Sequence, residues 1–95
     1  MWRISVVWAE VTVKLLNKVG LHARPAALFV QAANKFKSNI VVVREGKEVD
    51  AKSILNVLSL GAEYGSVITI KADGDDCEMA VKTLSELVKN KFYEE

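Results

Sequence analysis

Apolar residues recur along the chain at two different spacings, and the changes between them predict the secondary structure. From Val11 to Leu15 apolar and polar residues alternate and β-branched residues dominate, which is typical of a half-buried strand. After Gly20 the spacing becomes that of an amphipathic α-helix. The apolar residues of this predicted helix are Ala26, Phe29, Val30, Ala32, Ala33 and Phe36.

The middle of the chain adds two strands and a short helix. Residues 39–44 and 47–50 are predicted to be strands joined by a tight Glu-Gly turn. Residues 53–60 form a short apolar run that begins with a serine and is followed by Gly61. A serine in front and a glycine behind are the start and stop signals of a helix.

The last third of the chain repeats the same change of spacing. Residues 66–72 alternate and predict a fourth strand, and the acidic turn at 73–76 offers helix N-caps. The helical spacing then returns from Glu78 onward, at Met79, Ala80, Leu84, Leu87 and Val88. The predicted order is β-α-β-β-α-β-α, a two-layer α+β domain whose helices lie on one face of one sheet.

The first ten residues do not fit the strand that follows them. Their apolar side chains occupy even positions, namely Ile4, Val6 and Trp8. Those of the strand occupy odd positions from Val11, so one continuous strand cannot hold both sets on one face. We therefore predict a bulge or break near Ala9–Glu10, an apolar arm over 1–10 and a single domain over 11–95. The arm is expected to pack on the domain or to pair with a neighbouring chain.

Composition and charge narrow the functional classes. The 95 residues are 51% hydrophobic and 26% charged, which suits one globular domain, and the net charge is +1. A net charge of +1 argues against a nucleic-acid-binding protein, which usually has a concentrated basic face. The single Cys77 cannot form an intramolecular disulfide, and the N-terminal apolar run is too short for a signal peptide or a membrane span. We expect a cytoplasmic protein without membrane insertion.

The residue inventory also excludes several kinds of site. One histidine, one cysteine and scattered carboxylates give none of the ligand spacings of a zinc site. The chain has no glycine-rich phosphate loop and no dinucleotide fingerprint, so we predict neither a metal nor a cofactor. Any phosphate chemistry must use a phosphoryl group that a partner delivers.

The stretch G-L-H-A-R-P-A-A-L at residues 20–28 contains the only histidine and the only proline. If His22 caps the predicted helix, the amides of Ala23, Arg24 and Ala26 lie among the free donors of its first turn. Pro25 lacks an N–H and loses nothing there, although it disfavours helical angles for the residue before it, so the helix is expected to start late or distorted.

Two interpretations of His22 follow from these residues. In the first, the imidazole offers a ring nitrogen for attack, and the amides together with Arg24 stabilise a dianionic group on it. In the second, His22 is a solvent-exposed histidine beside a proline that starts a helix. The residues alone leave both open.

Two motifs at a fixed separation resemble one family. G-L-H-A-R-P-A-A is followed after about thirty residues by K-S-I-L-N-V-L-S-L-G. The pair looks like HPr, the histidine phosphocarrier of the phosphoenolpyruvate-dependent sugar phosphotransferase system, from about Val11 to the C-terminus. The resemblance implies an open-faced β-sandwich with four antiparallel strands and three helices on one face.

The resemblance also implies a role for each matched residue. His22 matches the histidine that enzyme I phosphorylates on Nδ1, Arg24 the arginine that contacts the phosphoryl group, and Pro25 the proline that fixes the loop. Ser53 matches a serine phosphorylated by HPr kinase/phosphorylase, although a serine there is also simply a good helix N-cap. The implied partner-binding residues are Ala23, Ile54, Leu55, Asn56 and Leu58. Asn56 departs from the family, since many relatives have a glycine there.

The implied function is a monomeric phosphocarrier rather than an enzyme. Its partners would be enzyme I, sugar-permease A domains, HPr kinase/phosphorylase and a transcriptional regulator. Alternatives are an HPr of the nitrogen-related phosphotransferase chain and one serving dihydroxyacetone kinase. A regulatory relative similar to the catabolite-repression homologue would keep Ser53 but lack the histidine, so the presence of His22 argues against it. From the residues, Leu55 and Leu58 could also be core residues, but a short helix cannot bury all its apolar side chains on one stripe, so some are expected to face outward.

Overall fold

A computed structural model describes residues 7–93 of the chain. The elements are β1 (Trp8–Lys14), α1 (Ala23–Ala33), β2 (Asn39–Arg44), β3 (Lys47–Asp50), α2 (Ile54–Leu58), β4 (Val67–Asp73) and α3 (Cys77–Lys89), followed by a left-handed turn at Lys91–Tyr93, whose residues all have positive φ. The predicted order β-α-β-β-α-β-α is confirmed. None of the helices within residues 7–93 is long and apolar enough to cross a membrane.

The four strands form one antiparallel sheet in the order β1-β4-β2-β3. Along each strand, alternate side chains enter the core that the helices cover, including Val13, Ile40, Val42, Ile68 and Ile70. The opposite face of the sheet has no helix on it among the described residues. The architecture is therefore the predicted two-layer α+β fold, an open sheet with three helices.

The predicted break near Ala9–Glu10 is wrong. Every residue of β1 pairs with β4 in one unbroken register, from Trp8 opposite Asp73 to Lys14 opposite Val67. The prediction assumed that both apolar sets must be buried, but Trp8 lies on the open face of the sheet and is 49% exposed. The last three residues of the predicted arm thus belong to β1, while Ile4 and Val6 lie outside the described residues.

The hairpin of β2 and β3 forms at the predicted positions. Glu45 and Gly46 both adopt positive φ angles, 50° and 83°, as a two-residue hairpin turn requires. Glycine adopts this conformation without the steric cost of a side chain, which explains why the Glu-Gly pair marks the turn so clearly.

The helices depart from the sequence predictions in two places. The chain after Leu58 does not continue α2 to residue 60, and the amides of Leu60 and Gly61 instead bond three residues back. Met79 was predicted in the apolar stripe of α3, but it is 59% exposed. The buried side of α3 is formed by Cys77, Ala80, Leu84, Ser85 and Val88.

Candidate functional site

His22 is the N-cap of α1, and its imidazole is exposed. The backbone is extended at this residue, with φ −79° and ψ −172°, and the side chain makes no capping hydrogen bond. Its carbonyl oxygen accepts the first helical bond, 2.8 Å from the amide nitrogen of Ala26. The backbone of His22 therefore starts the helix, whereas its imidazole takes no part in capping.

The first turn of α1 differs from its predicted geometry. The helix begins at Ala23, directly after His22, so the expected late or distorted start is wrong. The amide of Ala26 was expected to be free, but it bonds to His22. Among the described residues, the amides of Ala23 and Arg24 have no acceptor, and the buried Pro25 has no N–H that would need one. Two free amides, rather than three, lie beside the imidazole.

Arg24 is the one cation within two residues of His22, and it is exposed. Within residues 7–93 its guanidinium makes no hydrogen bond or ion pair. The planar guanidinium can therefore bind an oxyanion in the two-pronged geometry that suits carboxylates and phosphates.

The loop before His22 is fastened to the loop after α2. The Asn17 side chain donates a 2.8 Å hydrogen bond to the Gly20 carbonyl, and the Leu21 amide donates one of 2.9 Å to the Ala62 carbonyl. Gly20 has φ +63°, and a Cβ there would lie 2.4 Å from the Cα of Glu63. Only glycine permits this close approach, which sets where His22 lies.

A depression of about 260 Å³ opens between these two loops. His22 and Ala23 line one side of it, and Leu58 lines the other. The remaining lining residues are Leu21, Gly61, Ala62 and Glu63. The structure therefore brings the candidate acceptor histidine and the end of α2 onto one surface.

The short helix α2 divides its apolar side chains between the core and the surface. Val57 is fully buried, whereas Leu55 is 76% exposed, and Ile54 and Leu58 are each 37% exposed. Asn56 is exposed beside them. The expectation that some of these residues face outward is confirmed, and we call Ile54, Leu55, Asn56 and Leu58 the α2 patch.

Ser53 is the N-cap of α2 and is half-buried. Its hydroxyl accepts a hydrogen bond from the Asn56 amide at 3.4 Å, a long distance for such a bond. The capping interpretation of Ser53 is thus confirmed. The bond occupies only one of the hydroxyl's acceptor sites.

A comparison of the whole sequence with models of protein families identifies the family of this chain. The family model described as "PTS HPr component phosphorylation site" matches residues 9–90, which include His22, Ser53 and the α2 patch. The chain belongs to the HPr family of phosphocarrier proteins.

Relatives within the HPr family match most of the chain. The phosphocarrier protein HPr of Xylella fastidiosa is 48% identical over 79 residues, covering 83% of this chain and 89% of the relative. The HPr-like protein Crh of Halalkalibacterium halodurans is 49% identical over 79 residues, covering 83% and 92%. A crystal structure of HPr from Thermoanaerobacter tengcongensis superposes with a TM-score of 0.89 at 54% identity, over 92% of this chain and 98% of that one. The resemblance and the open-faced fold that it implied are confirmed.

One of the similar solved structures is a dimer of HPr. A second structure from T. tengcongensis is described as an HPr dimer; it is 47% identical, covers 99% of this chain and 100% of that chain, and has a TM-score of 0.74. The monomer expected from the sequence is therefore not confirmed and stays a prediction.

Three polar residues that bond to the loops beside His22 and α2 were not recognised from the sequence. Asn17 donates a hydrogen bond to the Gly20 carbonyl oxygen. Arg44 and Lys47 donate to the carbonyl oxygens of Leu60 and Ser59, which directly follow α2 in the sequence. The N-K-V-G run at 17–20 carries a local signal, since Asn and Gly favour turns. Arg44 and Lys47 carry none, because their partners lie 16 and 12 residues away.

Proposed function

We propose that His22 accepts a phosphoryl group from phospho-enzyme I and passes it to sugar-specific A domains. The observation that carries the proposal is the exposed imidazole at the N-terminus of α1, uncommitted to capping and adjacent to Arg24, which has no partner among the described residues. Within residues 7–93, His22 lines only the open depression of about 260 Å³, which suits a carrier because the donor and the acceptor proteins each supply their own half of the site.

The transfer is an exchange of one P–N bond for another. The lone pair of a ring nitrogen of His22, Nδ1 in the family pattern, attacks phosphorus in line with the phosphohistidine of the donor. The donor P–N bond breaks, and its electron pair returns to the donor ring. The second nitrogen of His22 releases its proton to solvent, and the departing imidazole takes one up. The onward transfer is the same step in reverse with a different partner.

Arg24 and two amides stabilise the charge on the phosphoryl oxygens. The free amides of Ala23 and Arg24 lie at the positive end of α1, which favours a dianion. The guanidinium adds a mobile donor that can follow the oxygens. A carrier must release its cargo, so these contacts should favour the transition state over the phosphorylated ground state.

The α2 patch is the surface through which partners dock, and Ser53 is its regulatory site. Phosphorylation by HPr kinase/phosphorylase adds a charge of about −2 next to exposed apolar side chains that a partner must desolvate. The same charge lies at the N-terminus of α2, where the helix tolerates it. Phosphorylation of Ser53 therefore changes the binding of partners rather than the stability of α2. Among the partners, a transcriptional regulator binds the phosphorylated form preferentially.

Phosphoryl transfer from labelled phosphoenolpyruvate through enzyme I tests the proposal directly. The protein should acquire label that acid removes, and His22→Ala should acquire none. Label that survives in His22→Ala would refute the assignment of the acceptor. His22→Gln serves as a second variant, since it keeps a polar side chain at the N-cap.

A regulatory role similar to that of Crh is the second candidate, because one Crh protein is 49% identical to this chain, against 48% and 54% for two HPr relatives. Phosphorylation of Ser53 by the kinase with ATP, lost in Ser53→Ala, would support it. If Ser53 is labelled while enzyme I leaves His22 unlabelled, regulation is the primary function. Partners from the nitrogen-related chain or dihydroxyacetone kinase can be compared in the same transfer assay.

The arm has a separate test. We propose that it packs on the domain or pairs with a neighbouring chain in the cytoplasm, and we would delete residues 1–6 only, because Trp8 already pairs with β4. Sedimentation of the full chain and the deletion variant decides between the two. Identical monomeric behaviour excludes pairing through the arm.

A further inference from the structure

Two cations of the β2–β3 hairpin bind the carbonyl oxygens at the end of α2. Nη1 of Arg44 lies 3.0 Å from the Leu60 carbonyl oxygen, and Nζ of Lys47 lies 2.9 Å from the Ser59 carbonyl oxygen. These carbonyls lie at the negative end of the helix, where cations are favoured.

The helix α2 needs such support because it is too short to be stable alone. It has five residues, and isolated helices of that length do not form in water. Its N-terminal cap is the long bond to Ser53, and Val57, in its last turn, is its one fully buried side chain. The last turn is held by the buried Val57 and Leu60, by the Ser59 hydroxyl, which donates to the Asn56 carbonyl at 2.6 Å, and by the two cations.

The two cations are not equivalent. The Arg44 side chain is only 28% exposed, and its other guanidinium nitrogen lies 3.8 Å from the exposed Glu45 carboxylate, which adds little. The Lys47 bond is exposed to solvent. Because solvent weakens an exposed charge-assisted bond, Arg44 should contribute more than Lys47.

We propose that Arg44 and Lys47 are positioning residues for partner recognition, which act by fixing the last turn of α2 and with it Leu55 and Leu58. This inference rests on the proposed docking role of the α2 patch. The His22 loop is fastened to Ala62 and Glu63, beyond the Ser59 and Leu60 carbonyls that the cations bind, so loss of the cations should weaken docking more than it slows the transfer itself.

Steady-state phosphorylation by enzyme I separates these effects in Arg44→Gln, Lys47→Gln and the double variant. We expect the KM for this protein to rise about fivefold or more in the double variant, with kcat within about twofold, as loss of a pre-organised surface predicts. Lys47→Arg, which keeps a cation at this position, should have the wild-type KM. The matched control is Lys82→Gln, since Lys82 is an exposed cation on α3 near Trp8. An unchanged KM, or a fall in kcat alone, would overturn the proposal.

Hydrogen exchange gives a readout that does not depend on the proposed function. The amides of Ser59, Leu60 and Gly61 bond within the last turn of α2, and their exchange should accelerate about tenfold in the double variant while the amides of α3 do not change. Faster exchange with no labelling of the wild-type protein would refute the proposed function and keep the positioning effect. Unchanged exchange would refute the positioning effect whatever the assay shows.

Discussion

The amide of Leu21 and the carbonyl of Ala62 join the loop that carries the candidate acceptor His22 to the loop that follows the proposed docking helix α2. Their 2.9 Å hydrogen bond lies between the candidate acceptor His22 and the end of α2. The bond fixes the relative position of two sites that are about thirty residues apart in sequence. If partners dock on α2 as proposed, this bond sets the distance from the docked partner to His22.

Gly20→Ala should disrupt this junction. Alanine at φ +63° is strained, and its Cβ would lie 2.4 Å from the Cα of Glu63, so we expect a loss of about 2–5 kcal/mol in the free energy of unfolding. Gly46→Ala is the matched control, because its φ is +83° but nothing lies within 4 Å of the added atom. It should lose only about 1–2 kcal/mol. Urea unfolding measures both, and equal losses would show that contact with Glu63 is unimportant.

Two substitutions in α2 should separate stability from docking. Val57 is fully buried, so Val57→Ala should cost about 1–3 kcal/mol in the free energy of unfolding. Leu55 is 76% exposed, so Leu55→Ala should change that free energy by less than about 0.5 kcal/mol. Leu55→Ala should instead raise the KM for enzyme I. A wild-type KM in this variant would remove Leu55 from the docking surface.

Ser53 should show two separable effects. Ser53→Ala loses only a 3.4 Å cap bond, so its cost should lie at the low end of cap losses, about 0.5 kcal/mol. Ser53→Asp keeps an acceptor at the N-cap and adds a negative charge beside the α2 patch. Its KM for enzyme I should rise about tenfold, which corresponds to ~1.4 kcal/mol of lost binding free energy. If Ser53→Ala raises the KM as much, the effect comes from the cap and not from the charge.

Asp76 predicts a pH dependence of stability. Its carboxylate accepts hydrogen bonds from the Ser38 hydroxyl and from the amides of Lys37 and Ser38. These bonds, the one from the hydroxyl first, lower the pKa of Asp76 below its usual value of 3.8. Because the folded-state pKa is lowered, the stabilisation is complete above the unfolded pKa and disappears as the pH falls through the folded one.

The variant Asp76→Asn isolates this contribution. The difference in the free energy of unfolding between wild type and variant should be constant near neutral pH and shrink below about pH 4. Ser38→Ala should raise the pKa of Asp76, which carbon-detected NMR titration of the carboxyl group measures. A difference that does not change between pH 6 and pH 2 would contradict the lowered pKa.

The sequence predicted the elements well where a local signal decides them. The Glu-Gly turn and the alternating strands around it carry such signals, and β2 and β3 have the predicted bounds. The break at Ala9–Glu10 failed because alternation alone does not show that one face of the sheet is open and accepts Trp8. His22, Arg24 and Ser53 lie within short sequence motifs and could therefore be recognised. Arg44 and Lys47 bond to residues 16 and 12 positions away in the sequence, so no local spacing identifies them.

Arg24 should affect the chemistry and leave the fold unchanged. Since its side chain has no partner within residues 7–93, Arg24→Ala should change the free energy of unfolding by less than about 0.5 kcal/mol. Loss of a charge-assisted bond of about 1.5–3 kcal/mol to the phosphoryl group should lower kcat/KM for enzyme I by about 10- to 100-fold.

Arg24→Lys separates the charge of Arg24 from its shape. Lysine keeps the positive charge but lacks the planar two-pronged donor, so its kcat/KM should lie between those of wild type and Arg24→Ala. Rapid-quench measurement of single-turnover transfer places the loss in the chemical step rather than in docking. If Arg24→Ala transfers at the wild-type single-turnover rate and only its KM rises, then Arg24 contacts the partner protein and not the phosphoryl oxygens.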